Sequence, residues 1–193
     1  MPNYDDYFML LLVIHNDKKY DKIVLLSIDV VNCMEKTNVM RILDQHKISY
    51  KTYYYGDTGA IRGVDVAFCL KQDFRQVFKT LVTISGTKHY YVFMIPVACE
   101  LDLKKAAKSV GEKSLSMLPF KELLQVTGYV HGGCSAIGMK KKFPVVIDDS
   151  DKSFKTIIFS AGKIGYQVEM NVLELENILD YKFSFITVGE SCD

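Results

Sequence analysis

The chain of 193 residues is long enough for one domain with a sizeable core, because 49% of its residues are hydrophobic and 24% are charged. The net charge of +1 hides an uneven distribution: residues 101–142 contain eight Lys against three acids, which predicts one basic face that attracts RNA or another polyanion. The five cysteines are odd in number and never spaced as Cys-x-x-Cys, no histidine spacing suits a metal, and no apolar run approaches the roughly 18 residues of a membrane span. We therefore expect a cytoplasmic protein without a metal site, a disulfide framework, a cofactor or a membrane-spanning helix.

The first 33 residues are predicted to be an N-terminal extension of unassigned role. They hold two apolar runs, 8–14 and 23–31, on either side of the polar turn 16–19. This pattern is compatible with a hairpin, and equally with a segment that is foreign to the domain. The domain itself is predicted to occupy residues 34–187, followed by a short tail at 188–193.

Helical and strand patterns alternate irregularly along this domain. Apolar residues at helical spacing predict helices near residues 37–47, 64–68, 101–110, 119–128 and 172–179. Runs rich in β-branched and aromatic residues predict strands at 48–55, 77–84, 89–97, 144–148, 154–159 and 166–170. Asp102 and Asn171 are predicted N-caps, and Gly111 and Gly128 are predicted helix ends. Because no regular β-helix-β repeat is present, the pattern favours an α+β sheet over a doubly wound one.

A glycine-rich segment at 128–148 combines backbone freedom with positive charge. Gly132, Gly133 and Gly138 are followed by the cations Lys140–Lys142 and then by an apolar run. A loop rich in N–H donors beside three cations suggests a site for an anion, although a solvated surface loop would have the same composition. The segment is not a P-loop, since its lysine comes one residue late without a following Ser or Thr, and it lacks the dinucleotide fingerprint.

In the order of its motifs, the chain resembles the YbaK/EbsC family of prolyl-tRNA-editing deacylases. The resemblance extends from about residue 38 to residue 186 and is carried by several short motifs: His46-Lys47-Ile48-Ser49-Tyr50, Val77 to Val82, Leu101 to Lys108, Thr127-Gly128-Tyr129, Gly132 to Gly138, Lys140-Lys141, Pro144, Ile147-Asp148 and Ser160-Ala161-Gly162. Two positions depart from the usual pattern, because Ala136 stands where the family has proline and Gln167 where it often has an acid. These departures bear on amino-acid specificity more than on the fold.

The resemblance implies a mixed, largely antiparallel, barrel-like sheet with short helices packed around it, and release of a wrongly attached amino acid, chiefly cysteine, from proline tRNA. In that family the substrate's own thiol attacks the ester carbon, so catalysis depends on proximity and orientation. The implied catalytic residues are Lys79, Gly133, Ser135 and Gly138. The implied substrate-binding residues are Tyr55, Ser160, Gly162, Lys140 and Lys141.

The implied partners are the acceptor end of a mischarged tRNA and prolyl-tRNA synthetase. From the pattern alone, Lys79 would more often be a solvent-facing lysine, and Tyr55 a residue of the core. Two other functions stay open at this point. The first is a non-catalytic module of the same fold that binds tRNA or a synthetase, which Ala136 and Gln167 would favour. The second is a hydrolase that uses Cys134 beside His131, although such partners are normally distant in sequence.

Overall fold

The computed structural model describes residues 35–149 and 154–189 of the chain. All the elements belong to one compact unit, Thr37–Asp193. The described helices are α1 (Asn38–Gln45), α2 (Gly63–Cys69), α3 (Leu103–Val110), α4 (Phe120–Thr127) and two 3₁₀ segments, Gly56–Thr58 and Val172–Asn177. The described strands are β1 (Tyr50–Tyr54), β2 (Phe78–Ser85), β3 (Tyr90–Pro96), β4 (Leu115–Met117), β5 (Val145–Asp148), β6 (Thr156–Ser160), β7 (Tyr166–Asn171) and β8 (Tyr181–Ser184).

The strands form two sheets, so the α+β class is confirmed. The smaller sheet has the order β1-β7-β6 and is antiparallel throughout. The larger has the order β4-β2-β3-β5-β8, in which β3-β5 and β5-β8 are parallel. A parallel bridge between Val77 and Ile158 links the two sheets at the start of β2. The arrangement is barrel-like only in a loose sense, because two separate sheets replace one closed cylinder.

The helix ends follow the local chemistry of the sequence. The Asp102 side chain accepts hydrogen bonds from the N–H groups of Lys104 and Lys105, which begins α3. Gly111 and Gly128 end α3 and α4 with φ angles of 74° and 87°, in the left-handed region that glycine adopts without steric cost. These caps and stops are where the sequence predicted them.

Several predicted elements differ in the structure. The predicted helix 172–179 is a 3₁₀ segment of six residues, although Asn171 does cap it by accepting from the N–H of Leu173. The short strands β4 and β8 were not predicted, since three or four residues give too little periodicity to detect. Any hairpin within residues 1–33 lies outside the described residues.

The sequence predicts no disulfide framework, whereas in the structure Cys99 is disulfide-bonded. Cys69 and Cys134 are free. Spacing along the chain does not report which cysteines approach each other in the fold, so the count could not reveal this pair. Within the described ranges, no helix is both long and apolar enough to cross a bilayer, and no three ligating side chains are grouped for a metal.

Candidate active site

A row of polar residues crosses four strands on one face of the molecule. The isolated bridge between Val77 and Ile158 is parallel, so the residues two positions further on, Lys79 and Ser160, project to the same side of their strands as Val77 and Ile158 do. Ser160 pairs with Gln167 on β7, and Gln167 pairs with Tyr53 on β1. Lys79, Ser160, Gln167 and Tyr53 therefore form one transverse row, which we call the polar row.

Lys79 is half-buried and its ammonium is only partly satisfied. Its Nζ donates to the carbonyl oxygen of Val97 at 3.0 Å, and among the described residues it makes no ion pair. Burial lowers the pKa of Lys79, and the nearby charge of Glu100 opposes that shift. The side chain is therefore not the solvated surface lysine that its strand pattern alone would suggest, and donors remain for a ligand.

Gln167 has a buried acceptor without a partner. The side chain is 6% exposed, and in the described part of the chain no donor reaches its Oε1 atom. Ser160, beside it, accepts at Oγ from the N–H of Gly162 at 3.2 Å. An unpaired buried acceptor is costly unless a ligand satisfies it, so Gln167 is a functional candidate that the sequence indicated only as a departure from the family pattern.

Two glycine turns meet beside this row. A Cβ on Gly133 would lie 3.1 Å from the backbone nitrogen of Ile164, so the two backbones are nearly in contact. Gly162 has a φ of 82°, and a Cβ there would lie 2.9 Å from both Tyr129 and Val39. The structure thus brings the 132–138 loop and the 160–165 turn together. Tyr129, which the sequence analysis did not single out, packs between the turns and donates from its hydroxyl to the carbonyl oxygen of Ile137 at 2.6 Å.

Among the described contacts, five backbone N–H groups of the 132–138 loop have no acceptor, and three of these five are consecutive. The N–H of Gly133 itself is engaged, because it donates to the carbonyl oxygen of Val130 at 3.1 Å. Ser135 is fully buried and its Oγ accepts from the N–H of Ile137. The N–H groups of residues 134–136, by contrast, donate to no acceptor within the described residues. Successive unpaired N–H groups form a cavity for a negative oxygen, so the loop offers its donors one to three residues beyond Gly133.

Gly138 and Tyr55 hold the loop and the turn in position. Gly138 has a φ of 76°, and a Cβ there would lie 2.8 Å from Asn38 Nδ2 and from the Tyr129 hydroxyl. The side of this glycine where a Cβ would lie is therefore packed against protein atoms. The N–H of Tyr55 donates to the carbonyl oxygen of Gly165 at 2.8 Å, and its side chain is buried. Tyr55 thus borders the turn through its backbone.

Lys140 and Lys141 lie away from the polar row. Tyr90, which lines a cleft with both lysines, pairs with Ile84 at the far end of β2. Five residues of strand separate Ile84 from Lys79, about 17 Å, and the two side chains are on opposite faces of the strand. Lys140 also donates from Nζ to the carbonyl oxygen of Leu124 at 3.3 Å, where it complements the C-terminal end of α4. Proximity to the glycine loop in sequence does not place these lysines at the same site.

Cys134 is not set up as a nucleophile. Burial raises the pKa of its thiol to about 12, although a hydrogen bond with Thr127 opposes the rise. His131 is exposed and packs its ring edge-to-face on Phe120, with centroids 4.5 Å apart. A thiol with this pKa carries almost no thiolate near neutral pH, which argues against the cysteine hydrolase alternative.

The shielding of Cys134 predicts a large difference in thiol reactivity. At pH 8 we expect iodoacetamide to modify the exposed Cys69 much faster than Cys134, because the rise in the pKa of Cys134 from 9.0 to about 12 lowers the thiolate fraction of Cys134 itself about 10³-fold. Mass spectrometry of timed digests measures both rates. Denatured protein is the control, in which both cysteines should react alike. Rapid labelling of Cys134 in the folded protein would contradict the burial.

The aminoacyl-tRNA editing domain family matches residues 64–178. A relative from Enterococcus faecalis, named “Putative Cys-tRNA(Pro)/Cys-tRNA(Cys) deacylase EbsC”, is 41% identical over 157 residues, which is 81% of this chain and 96% of the relative. The chain belongs to the aminoacyl-tRNA editing domain family, and the resemblance drawn from its motifs is confirmed.

Solved structures agree on the fold. A hypothetical protein superposes with a TM-score of 0.71 at 18% identity, covering 80% of this chain and 100% of its own. A candidate trans-editing enzyme for prolyl-tRNA synthetase superposes with a TM-score of 0.65 at 19% identity, covering 76% of this chain and 92% of its own. At such low identity these similarities show the fold alone.

Proposed function

We propose that this protein is a trans-editing aminoacyl-tRNA deacylase that removes cysteine from Cys-tRNA(Pro). The observation that carries the proposal is the set of three unpaired N–H groups at residues 134–136, on a loop that packs against the turn following Ser160. Family membership and the name of the enterococcal relative supply the substrate class. Prolyl-tRNA synthetase is the proposed partner that produces the mischarged tRNA.

The proposed reaction uses the thiol of the substrate. Its sulfur attacks the ester carbonyl carbon and forms a cyclic thioester, the bond from that carbon to the ribose oxygen breaks, and the thiol proton passes to the departing oxygen, which becomes the ribose hydroxyl. Water then hydrolyses the thioester to free cysteine. The free N–H groups at 134–136 stabilise the negative charge that develops on the carbonyl oxygen. The Lys79 ammonium favours the same charge or that of the leaving oxygen. The unpaired Oε1 of Gln167 accepts a hydrogen bond from the α-ammonium of the amino acid.

A comparison of four esters tests this proposal. Purified protein is incubated with tRNA(Pro) carrying cysteine, S-methylcysteine, alanine or proline, and loss of the ester is followed. We expect the cysteinyl ester to be cleaved well above the buffer rate, and the S-methyl ester, which lacks the attacking thiol, to remain. Cleavage of both at equal rates would show that the substrate thiol is not the nucleophile. If no ester is cleaved faster than in buffer, the deacylase proposal is wrong.

Gln167 and Ala136 favour a second candidate, a non-catalytic module that binds tRNA. A neutral amide at 167 attracts an ammonium group less strongly than the acid that the family often has there. Such a module would bind tRNA with an affinity that falls as salt rises, because the contacts are with phosphates. Binding without deacylation of any of the four esters would favour this candidate.

A further inference from the structure

A cleft of about 320 Å³ lies on the other face of β2 from the polar row. Its walls come from α4, from the start of β3 and from the segment before β5, including Tyr90 and Phe143. The volume falls at the lower end of the range of small-ligand sites. Because β2 separates the cleft from Lys79, it is not part of the candidate active site.

Two aromatic side chains form its apolar wall. The rings of Tyr90 and Phe143 pack edge-to-face with centroids 5.9 Å apart, and both residues are partly exposed. This packing holds the rings in fixed positions, so a flat ligand can stack on an exposed face at little entropic cost. Nucleobases stack on aromatic side chains in this way wherever single-stranded RNA is bound.

The polar groups of the cleft select among bases. Glu122 and Gln125 are three residues apart on α4 and therefore lie on the same side of the helix. Glu122 makes no ion pair among the described residues, so its carboxylate is free to accept hydrogen bonds. A carboxylate only accepts, and guanine alone among the common bases presents two adjacent N–H donors on its Watson–Crick edge.

The cleft also presents a positive charge, that of Lys141, to the phosphate of a nucleotide. Lys140 is occupied with the end of α4 through Leu124, whereas Lys141 lines the cleft and is exposed. We propose that this cleft binds a guanine nucleotide, with the base stacked on Tyr90 or Phe143, its Watson–Crick edge on Glu122 and its phosphate at Lys141. The nucleotide is either an unpaired guanosine of RNA or a free guanine nucleotide, and only the first source rests on the proposed tRNA substrate.

Equilibrium binding tests the base preference and the source together. The ligands are GMP, AMP and two short single-stranded RNAs that differ by one central G or A. We expect the guanine member of at least one pair to bind about tenfold more tightly. Glu122→Gln should reduce that preference to less than threefold and leave the adenine affinity unchanged. Glu176→Gln, which removes an exposed carboxylate elsewhere, should bind like the wild type.

The outcomes separate the possible sources. A preference seen with RNA but not with GMP assigns the cleft to RNA, and the reverse assigns it to a free nucleotide. Equal binding of G and A ligands, a preference that survives Glu122→Gln, or no binding of any ligand would overturn the proposal. Lys141→Ala adds a second variant at an exposed position and should weaken binding of G and A ligands alike.

The guanine-binding proposal and the deacylase proposal are tested separately, because either one can be wrong while the other holds. If the four esters remain intact while guanine selectivity depends on Glu122, the cleft stands and the deacylase proposal is wrong. If Cys-tRNA(Pro) is cleaved but no guanine preference exists, only the cleft is wrong. Where both hold and the guanosine is part of tRNA, Glu122→Gln should raise KM for Cys-tRNA(Pro) and leave kcat unchanged, because the cleft is remote from the ester.

Discussion

Replacing Lys79 by Met should lower kcat for deacylation of Cys-tRNA(Pro) by about 10²–10³-fold, the usual effect of removing one charge-stabilising donor. The same change should leave the free energy of unfolding equal to that of the wild type or raise it slightly. Burial lowers the pKa of Lys79, so the folded protein bears a cost for keeping the ammonium charged at neutral pH. Methionine keeps an unbranched side chain that is one atom shorter and removes that cost. Single-turnover kinetics and urea denaturation measure the two effects.

The activity and the stability of the wild type should each change with pH in a definite direction. Since the folded pKa of Lys79 lies below its unfolded value, the ammonium is lost at a lower pH than that of an exposed lysine. Activity that depends on the charge should fall as pH rises through the folded pKa. The destabilising effect of burying the charge is full below the folded pKa and disappears as pH rises from the folded to the unfolded pKa, so the stability gain of Lys79→Met should shrink over that window and be absent above it.

Lys113→Met is the matched control, because Lys113 is exposed on a connecting segment. It should change neither kcat nor stability. Wild-type turnover in the Lys79→Met protein would show that Lys79 is not part of the active site. A protein that loses stability together with turnover would indicate that Lys79 has a structural role through its hydrogen bond to Val97.

The parts of the fold that the sequence predicts are those set by local chemistry. Asp102 caps α3 with its own side chain, and Gly111 ends the same helix because its φ is positive. The hairpin of β2 and β3 follows from two β-rich runs and the short turn between them. Each of these features depends on residues within a few positions of each other, which a pattern can represent.

The site is predicted less completely because it depends on pairing between distant strands. Lys79 is placed on the same side as Ser160 by a bridge between residues 77 and 158, which no periodicity records. Dependence on distant pairing also explains why the sequence does not place Lys140 and Lys141 correctly. They follow the glycine loop in sequence but lie on the opposite face of β2 from Lys79. The unpaired Oε1 of Gln167 is likewise visible only when its surroundings are known. The motifs indicated the correct family, whereas the roles of individual glycines needed the structure.

Gly138→Ala should destabilise the folded protein by about 2–5 kcal/mol. An L-residue at positive φ costs about 1–2 kcal/mol, and the φ of Gly138 is 76°. The new methyl group would also lie 2.8 Å from Asn38 Nδ2 and the Tyr129 hydroxyl and 2.9 Å from Ile42, an overlap that typically adds about 1–3 kcal/mol. Urea denaturation measures the loss. Because α1 and Tyr129 both contact this glycine, the change should also displace the 132–138 loop and reduce deacylation.

Alanine substitutions at two other glycines separate the backbone cost of Gly138→Ala from its steric cost. Gly59 has a φ of 71°, but no atom lies within 4 Å of the position that a methyl group would occupy there, so Gly59→Ala should show the backbone cost alone, about 1–2 kcal/mol. Gly86 has neither a positive φ nor a close neighbour, so Gly86→Ala should be neutral or stabilising by about 0.4–1 kcal/mol. If Gly138→Ala lowers the free energy of unfolding no more than Gly59→Ala does, α1 and Tyr129 move aside to make room for the methyl group. The loop would then be held by its backbone conformation and not by the packing of α1 and Tyr129 against it.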